Sequence, residues 1–416
     1  MKVNNFAFNY VIGVMAVVLL VSMLFFPAQA LHASLKGLSI WWDILFPALL
    51  PFLVISEMML GLGIVHFFGM LLDPIMRPVF RIPGIGGFVM AMGFAAGYPV
   101  AARLTSQLWE QRLISREEGE RLVAFTTTSD PIFLIGAVSV GFFHDASLAG
   151  ILAAAHYGTA VIVGLIMRFH GGAASKQITE AAPPATGITS SRRLLTRAFK
   201  AMHRARLLDG RSLGEMLTQA VQSSLQMVMV IGGLVVFFAV VIEIMTSMQV
   251  MPIVYKGINA VLQLFGVPTA LSEAVAGGLF EVTLGAKAAG SAPASISLMH
   301  KAAIAAFILS WAGLSVHAQI VSILHHTNLR YFPFITARLV HGLLAATAVI
   351  LLWEPMQSFR GATALSMPVI SLTAALPTKP NSVLTWIAGA CIGVLLGLLM
   401  FYALHLAVKQ CMKWLK

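Results

Sequence analysis

Charge is scarce in this chain. Acidic residues number 16 and basic residues 27 out of 416, so 10% of positions are charged, against roughly 25% in a soluble domain. Residues of the AVILMFWYC set make up 58%. So few charges cannot cover a water-facing surface, which excludes a soluble enzyme and a disordered polymer and points to a polytopic membrane protein. Cysteine is nearly absent: Cys391 and Cys411 are too few and too poorly placed for a disulfide framework or a metal site. His325-His326 stands without the partners a metal needs. The P-loop pattern, H-E-x-x-H and G-x-S-x-G are also missing, which leaves ATP coupling and the usual intramembrane hydrolyses without support. Neither enzyme activity nor a cofactor is expected. The formal net charge is +11, but the basic residues gather in one loop and at the C-terminus, so no nucleic-acid partner is expected.

What is present is a series of apolar runs. Phe6 to Phe26 follows Lys2 and ends in Pro27-Ala28-Gln29-Ala30, an A-x-A pattern that signal peptidase could cut. The run is long for a signal core, so an uncleaved helix is expected over residues 1–30. Ile40 to Phe68 is apolar but holds Asp43, Pro47, Pro51 and Glu57. Val79 to Val100 is glycine-rich, and Arg103 to Arg121 reads as a charged helix too polar to face lipid. Leu122 to Phe143 is apolar but broken by Thr126 to Pro131. Leu148 to Met167 reads as a plain span. Residues 168–215 are rich in Lys and Arg, which keeps such a loop in the cytoplasm. Ala220 to Met245, an amphipathic piece near Pro252 to Phe265, and Ala270 to Gly290 follow. Ala302 to Leu324 is interrupted in turn, and Phe334 to Trp353 and Trp386 to Val408 read as ordinary spans.

The charge pattern is consistent if both termini and the 168–215 linker are inside. Residues 31–167 then run from outside to inside and residues 216–353 from inside to outside, so the two segments are inverted relative to one another. Residues 354–416 supply an outside loop and a last span. Weak internal similarity agrees: Phe80-Arg81-Ile82-Pro83 parallels Phe265-Gly266-Val267-Pro268, and Gly93 parallels Gly278. The expected fold is all-α, with two inverted repeats built on re-entrant hairpins or broken helices. In hydrocarbon each unpaired backbone group costs several kcal/mol. Interrupted helix therefore survives only where protein or a wet cavity surrounds it, as in many secondary carriers, and half-helix N-termini attract anions.

The candidate site residues lie at these interruptions. Tyr98, in Gly97-Tyr98-Pro99, precedes Arg103, which either pairs a carboxylate or snorkels to the interface. Thr126, Thr127, Thr128, Ser129 and Asp130 offer hydroxyls and a carboxylate, either as helix caps or as substrate contacts. Glu281, Thr283 and Lys287 lie between glycines, and an intramembrane ionisable residue is a functional candidate by default. A salt bridge between Glu281 and Lys287 is the alternative. Ser310, Ser315, His317 and Gln319 mark the last interruption. Ser315 and Gln319 share a face if the helix is continuous there, and His317 is either a proton relay or a hydrogen-bonded core residue. Glu57, Glu243 and Glu273 are weaker candidates.

These residues also carry a resemblance. LFPALLPFLVISEMMLGLGIV, GYPVAARL and LISREEGERLVAFTTTSDPIFLIGAVSVGFF, with GGLFEVTLGAKAAG and ILSWAGLSVHAQI from the second half, resemble the YlbJ family of sporulation integral membrane proteins over about residues 35–353. That family belongs to the Gate, or nucleoside-recognition, group, which is similar to concentrative nucleoside transporters. The resemblance implies a place in the cell membrane or outer forespore membrane. It also implies export of dipicolinic acid from the mother cell. Such a dianion would use Arg103 and Lys287 as cations and Tyr98 or Trp311 as stacking partners. The expected partners are thus a small dipicolinate-like anion and the lipid bilayer, and a homo-oligomer is compatible with both. An ion-coupled nucleoside or nucleobase transporter and a non-transporting scaffold for spore assembly are the alternatives.

Overall fold

A computed structural model describes residues 6–171 and 191–356. The expected last span at 386–408 lies outside them, as do most of the loop before it and part of the basic linker. Among the described residues every regular element is helical.

The chain opens with α1 (Phe6–Phe25) and α2 (Pro27–Ile40), which meet at 105°. Pro27 takes a first-turn position of α2, where its missing N–H has no intrahelical bond to lose. A wide turn at Trp41–Leu45 leads into α3 (Phe46–Gly61), and α4 (Ile64–Phe80) then departs at 84°. Gly63, in the left-handed region at φ 76°, makes that corner. The apolar stretch 40–68 is therefore a bent path through two helices.

Next come α5 (Ile85–Ala96), α6 (Tyr98–Glu110) and α7 (Arg116–Thr126). The expected single charged helix over 103–121 is divided by a turn in which Arg112 has φ 57°. Ser115 and Glu118 form a reciprocal cap that starts α7. The more polar part of α6 is indeed kept from lipid: Thr105, Ser106 and Gln107 are buried, and Gln107 Nε2 donates to Glu57 of α3 at 2.6 Å. The helix Ile132–Phe142 is wound wider than α, and α8 (Leu148–Met167) follows.

The second half begins with the basic α9 (Ser191–Asp209) and α10 (Leu213–Ser247). At 35 residues α10 is about 52 Å long. It runs along α2 and α3, where Trp41 Nε1 donates to the Val228 carbonyl at 2.9 Å. Then come α11 (Met251–Leu264), α12 (Ser272–Phe280), α13 (Val282–Gly290), α14 (Leu298–Trp311), α15 (Gly313–Leu324) and α16 (Tyr331–Leu352). Among the described residues four stretches are long and apolar enough to cross a bilayer: α8, α10, α14 with α15, and α16. The two sharply bent pairs near the N-terminus bring the total to six if each is one span.

The halves are packed into each other. α8 of the first half lies on α14 and α16 of the second, and α7 lies on α16. One core joins Leu134, Leu152, Ile308 and Leu309 across that boundary. A second is built mainly from α4 to α7, where the Phe80 and Phe125 rings stack 4.8 Å apart.

Candidate functional site

All four expected interruptions are present. α5 gives way to α6 at Gly97, whose φ 89° and ψ −176° suit only glycine. α7 stops at Thr126, and the chain runs without helical turns to Pro131. α12 breaks to α13 at an extended Glu281. α14 breaks to α15 at Ala312 and Gly313, both with positive φ.

Two of these breaks close helical hairpins. In α5–α6, a Cβ on Gly93 would come within 2.8 Å of Ala101 Cβ. In α12–α13, Gly285 lies directly on the backbone of Gly278. Each hairpin tip then faces the other break of its own half. A Cβ on Gly97 would meet Asp130 Oδ2 at 3.3 Å, and one on Gly313 would meet the Glu281 backbone at 3.1 Å.

Backbone groups freed at the breaks are satisfied by buried side chains, two of which, Arg338 and Tyr98, reach across from the other half. Arg338 of α16 is fully buried. Its guanidinium donates to the Thr127 carbonyl at 2.7 Å and to the Ser310 carbonyl, so one side chain holds an open end of α7 and of α14. The Ser129 backbone N–H donates to His156 Nε2 at 3.0 Å. That nitrogen must therefore accept, which leaves Nδ1 to donate to Ser310 Oγ at 2.7 Å. Tyr157 donates to the Ser129 carbonyl at 2.9 Å, and Tyr98 donates to the Leu309 carbonyl at 2.5 Å. His341 Nε2 donates to the His156 carbonyl at 2.8 Å, and the two imidazoles stack 5.1 Å apart. Arg338 sits 5.9 Å from the centre of the Tyr98 ring.

The sequence candidates divide on this geometry. Tyr98, Ser129 and Ser310 lie in the cluster. Ser129 Oγ is buried against the Tyr98 phenol without a well-formed hydrogen bond. The hydroxyls of Thr126 and Thr127 bond back to Leu122 and Val123 on their own helix at 2.7 Å, and Thr128 Oγ1 donates to the Gly93 carbonyl. Asp130 accepts from the Phe133 N–H at 2.8 Å and Glu281 from the Leu284 N–H at 2.7 Å. Each thus caps a half-helix whose positive end would otherwise face the cluster. Thr283 is buried in the first turn of α13, beside that cap.

Other candidates are not brought in. Arg103 Nη2 donates to Ser223 of α10 at 3.0 Å. Lys287 is exposed on α13 and forms no ion pair with Glu281. His317 bonds to Tyr331 at 2.7 Å and to the Trp311 carbonyl at 2.9 Å. Ser315 and Gln319 are buried on α15, with Ser315 Oγ unpartnered.

The sequence reading passed over His156, Tyr157, Arg338 and His341. They lie inside α8 and α16, whose hydropathy hides them. The signal was available: the rule that flagged Glu281, an ionisable residue in an apolar run, applies equally to Arg338.

A second polar cluster lies where α8 ends and the basic linker begins. Glu120 is buried, and its carboxylate accepts from Arg330 Nε at 2.9 Å, from Arg330 Nη2 at 2.8 Å and from the Arg330 backbone N–H at 3.0 Å. His170 Nε2 lies 2.6 Å from the same group. Burial alone would raise the Glu120 carboxyl, but the hydrogen bonds from Arg330 and His170 outweigh it and hold it below its ordinary value. The same pairing raises Arg330. The cluster itself borders a cavity of about 180 Å³ lined by Val123, Ile320, Leu324 and Phe334 and by the polar residues Glu120, His325, Thr327, Arg330 and Tyr331. Among the described residues no group of three or more His, Cys, Asp or Glu side chains is arranged to hold a metal.

A family model described as nucleoside recognition, Gate, matches residues 43–143, which include both interruptions of the first half. A curated relative, the sporulation integral membrane protein YlbJ of Bacillus subtilis (strain 168), is 43% identical over 331 residues. The match covers 79% of this chain and 79% of the relative. No solved structure matches the chain.

Proposed function

The chain belongs to the family of the sporulation integral membrane protein YlbJ, and from that premise we propose that it exports a small aromatic dicarboxylate, dipicolinate, from the mother cell across the outer forespore membrane. The observation that carries this reading is Arg338. It is a fully buried guanidinium without a carboxylate partner among the described residues, set where broken helices of both halves meet. A buried charge left without a counter-ion costs several kcal/mol. In a carrier that cost is offset when the missing counter-ion is the cargo.

The rest of the cluster suits the same cargo. His156, Ser129 and Ser310 supply polar contacts, and Tyr98 supplies an aromatic face. The two hairpins and two broken helices are the moving parts of an alternating-access carrier, and the two halves are an inverted pair. A negative-inside potential drives an anion outward by roughly 2.3 kcal/mol per charge per 100 mV, so a dianion can be expelled without a coupling ion.

The decisive measurement is efflux of dipicolinate from liposomes holding the purified protein. Efflux is expected with the wild type, and Arg338→Lys should lower it at least tenfold because an ammonium cannot grip a carboxylate in a fork. No efflux above that of empty liposomes would end the proposal. The Gate match favours one other reading, a nucleoside carrier that uses Asp130 and Glu281 as cation sites. Uridine or adenosine uptake that depends on a Na⁺ or H⁺ gradient would decide for it.

A further inference from the structure

α7 and α16 lie side by side and are joined at two levels. At one, Arg338 holds the Thr127 carbonyl. At the other, Arg330 holds Glu120. Glu120 precedes Thr127 by seven residues and Arg330 precedes Arg338 by eight, so the levels are about 10–12 Å apart at 1.5 Å per residue. The cavity of about 180 Å³ lies in this interval, with Val123 from α7 and Phe334 from α16 in its wall. A cavity of roughly 150 Å³ can hold one benzene, so this one, apolar on the side of Val123, Ile320 and Phe334 and polar at Glu120 and Arg330, has room for a single ring bearing a carboxylate.

We propose that this cavity is a second, carboxylate-receiving site. An aromatic carboxylate takes the place of Glu120 in the fork of Arg330, its ring enters the cavity, and the tie between the two halves is released. The inference rests on the transport reading above and adds where cargo is first held and what opens the way to Arg338.

The exchange is balanced. One carboxylate replaces another in the same bidentate geometry, so the Arg330 fork keeps its partner. Arg330 is half exposed, where an ion pair is worth little and can be traded. Glu120 is buried but does not lose all compensation, because His170 stays at 2.6 Å and Arg116 at 3.9 Å. A neutral ring of the same shape cannot make the trade, so the Glu120–Arg330 latch selects by charge before the cargo reaches Arg338.

Thiol reactivity tests this in protein with Cys391 and Cys411 replaced by serine and Val123→Cys added. With the latch intact, a small methanethiosulfonate reagent should label the new thiol slowly, because Val123 is buried. Glu120→Gln should speed labelling severalfold, and dipicolinate, but not pyridine-2,6-dimethanol, should then slow it again. Arg330→Gln should also label quickly and should gain no protection. Arg330→Lys, which keeps the charge without the fork, should show weaker protection and covers the case in which Arg330→Gln does not fold. Protection that is absent from Glu120→Gln, or that survives loss of Arg330, overturns the inference. Protection by dipicolinate in a protein with no dipicolinate efflux would keep this site and overturn the transport reading instead.

Discussion

Arg338 and Glu120 are both buried charged residues, and they are compensated in opposite ways. Glu120 has a full cation set, two hydrogen bonds from one guanidinium and an imidazole on its second oxygen. Among the described residues Arg338 has only backbone carbonyls and a ring face. The first arrangement ties α7 to the start of α16. The second leaves a charge that no described carboxylate neutralises. Because the Glu120 carboxyl is held below its ordinary value of 4.5, its contribution to stability is present above that pH and is lost as the pH falls through the lower value of the folded state. Glu120→Gln should therefore unfold at a lower temperature than the wild type near neutral pH, and the gap should close as the pH drops below 4.5. Unfolding midpoints in detergent check this, and a gap that stays constant down to pH 3 would contradict it. At this scale the sequence was a mixed guide. It marked Tyr98, Ser129 and Ser310, which meet, and Arg103 and Lys287, which stand apart. A side chain's type is local information, whereas its direction on the helix matters only against a neighbour.

Helix breaks are the best-read elements. Glycine, proline and clustered hydroxyls inside apolar runs weaken the helix locally, and each of the four marked runs is interrupted. The pairing of elements was less legible. That α5 and α6, or α12 and α13, would double back follows from small residues meeting across the tip, as Gly93 with Ala101 and Gly278 with Gly285. The same contacts give a test. Gly285→Val should prevent closure of its hairpin, because the new side chain falls on the Gly278 backbone. Gly97→Ala should cost about 1–3 kcal/mol for a side chain forced into a conformation reserved for glycine. Gly257→Ala meets nothing within 4 Å on the exposed side of α11 and should be neutral or gain about 0.5–1 kcal/mol in helix propensity. Thermal midpoints that rank Gly285→Val with Gly257→Ala would refute the hairpin packing. Within the apolar run at 40–68 the 84° corner is marked in the sequence only by a glycine such as Gly63.

For the molecule as a whole, membrane residence follows from composition and from the relative, itself an integral membrane protein. Orientation rests on the basic linker. Single cysteines at positions 185 and 375 should react with impermeant reagent from opposite sides, 185 only after the cytoplasmic face is opened. Labelling of both from outside would mean an even number of crossings between them and would refute the inverted arrangement.

The chain by itself determined the solvent and the sites of weakness. Both depend on which residues follow one another over a few turns, and a bilayer penalises charge and open backbone wherever they occur. Only the tertiary structure decided which open groups would satisfy which. Arg338 meets carbonyls 28 and 211 positions away, and Arg330 meets a carboxylate 210 away. Such pairings are selected by the packing of whole helices, because a freed carbonyl accepts any donor that packing delivers and encodes no address of its own.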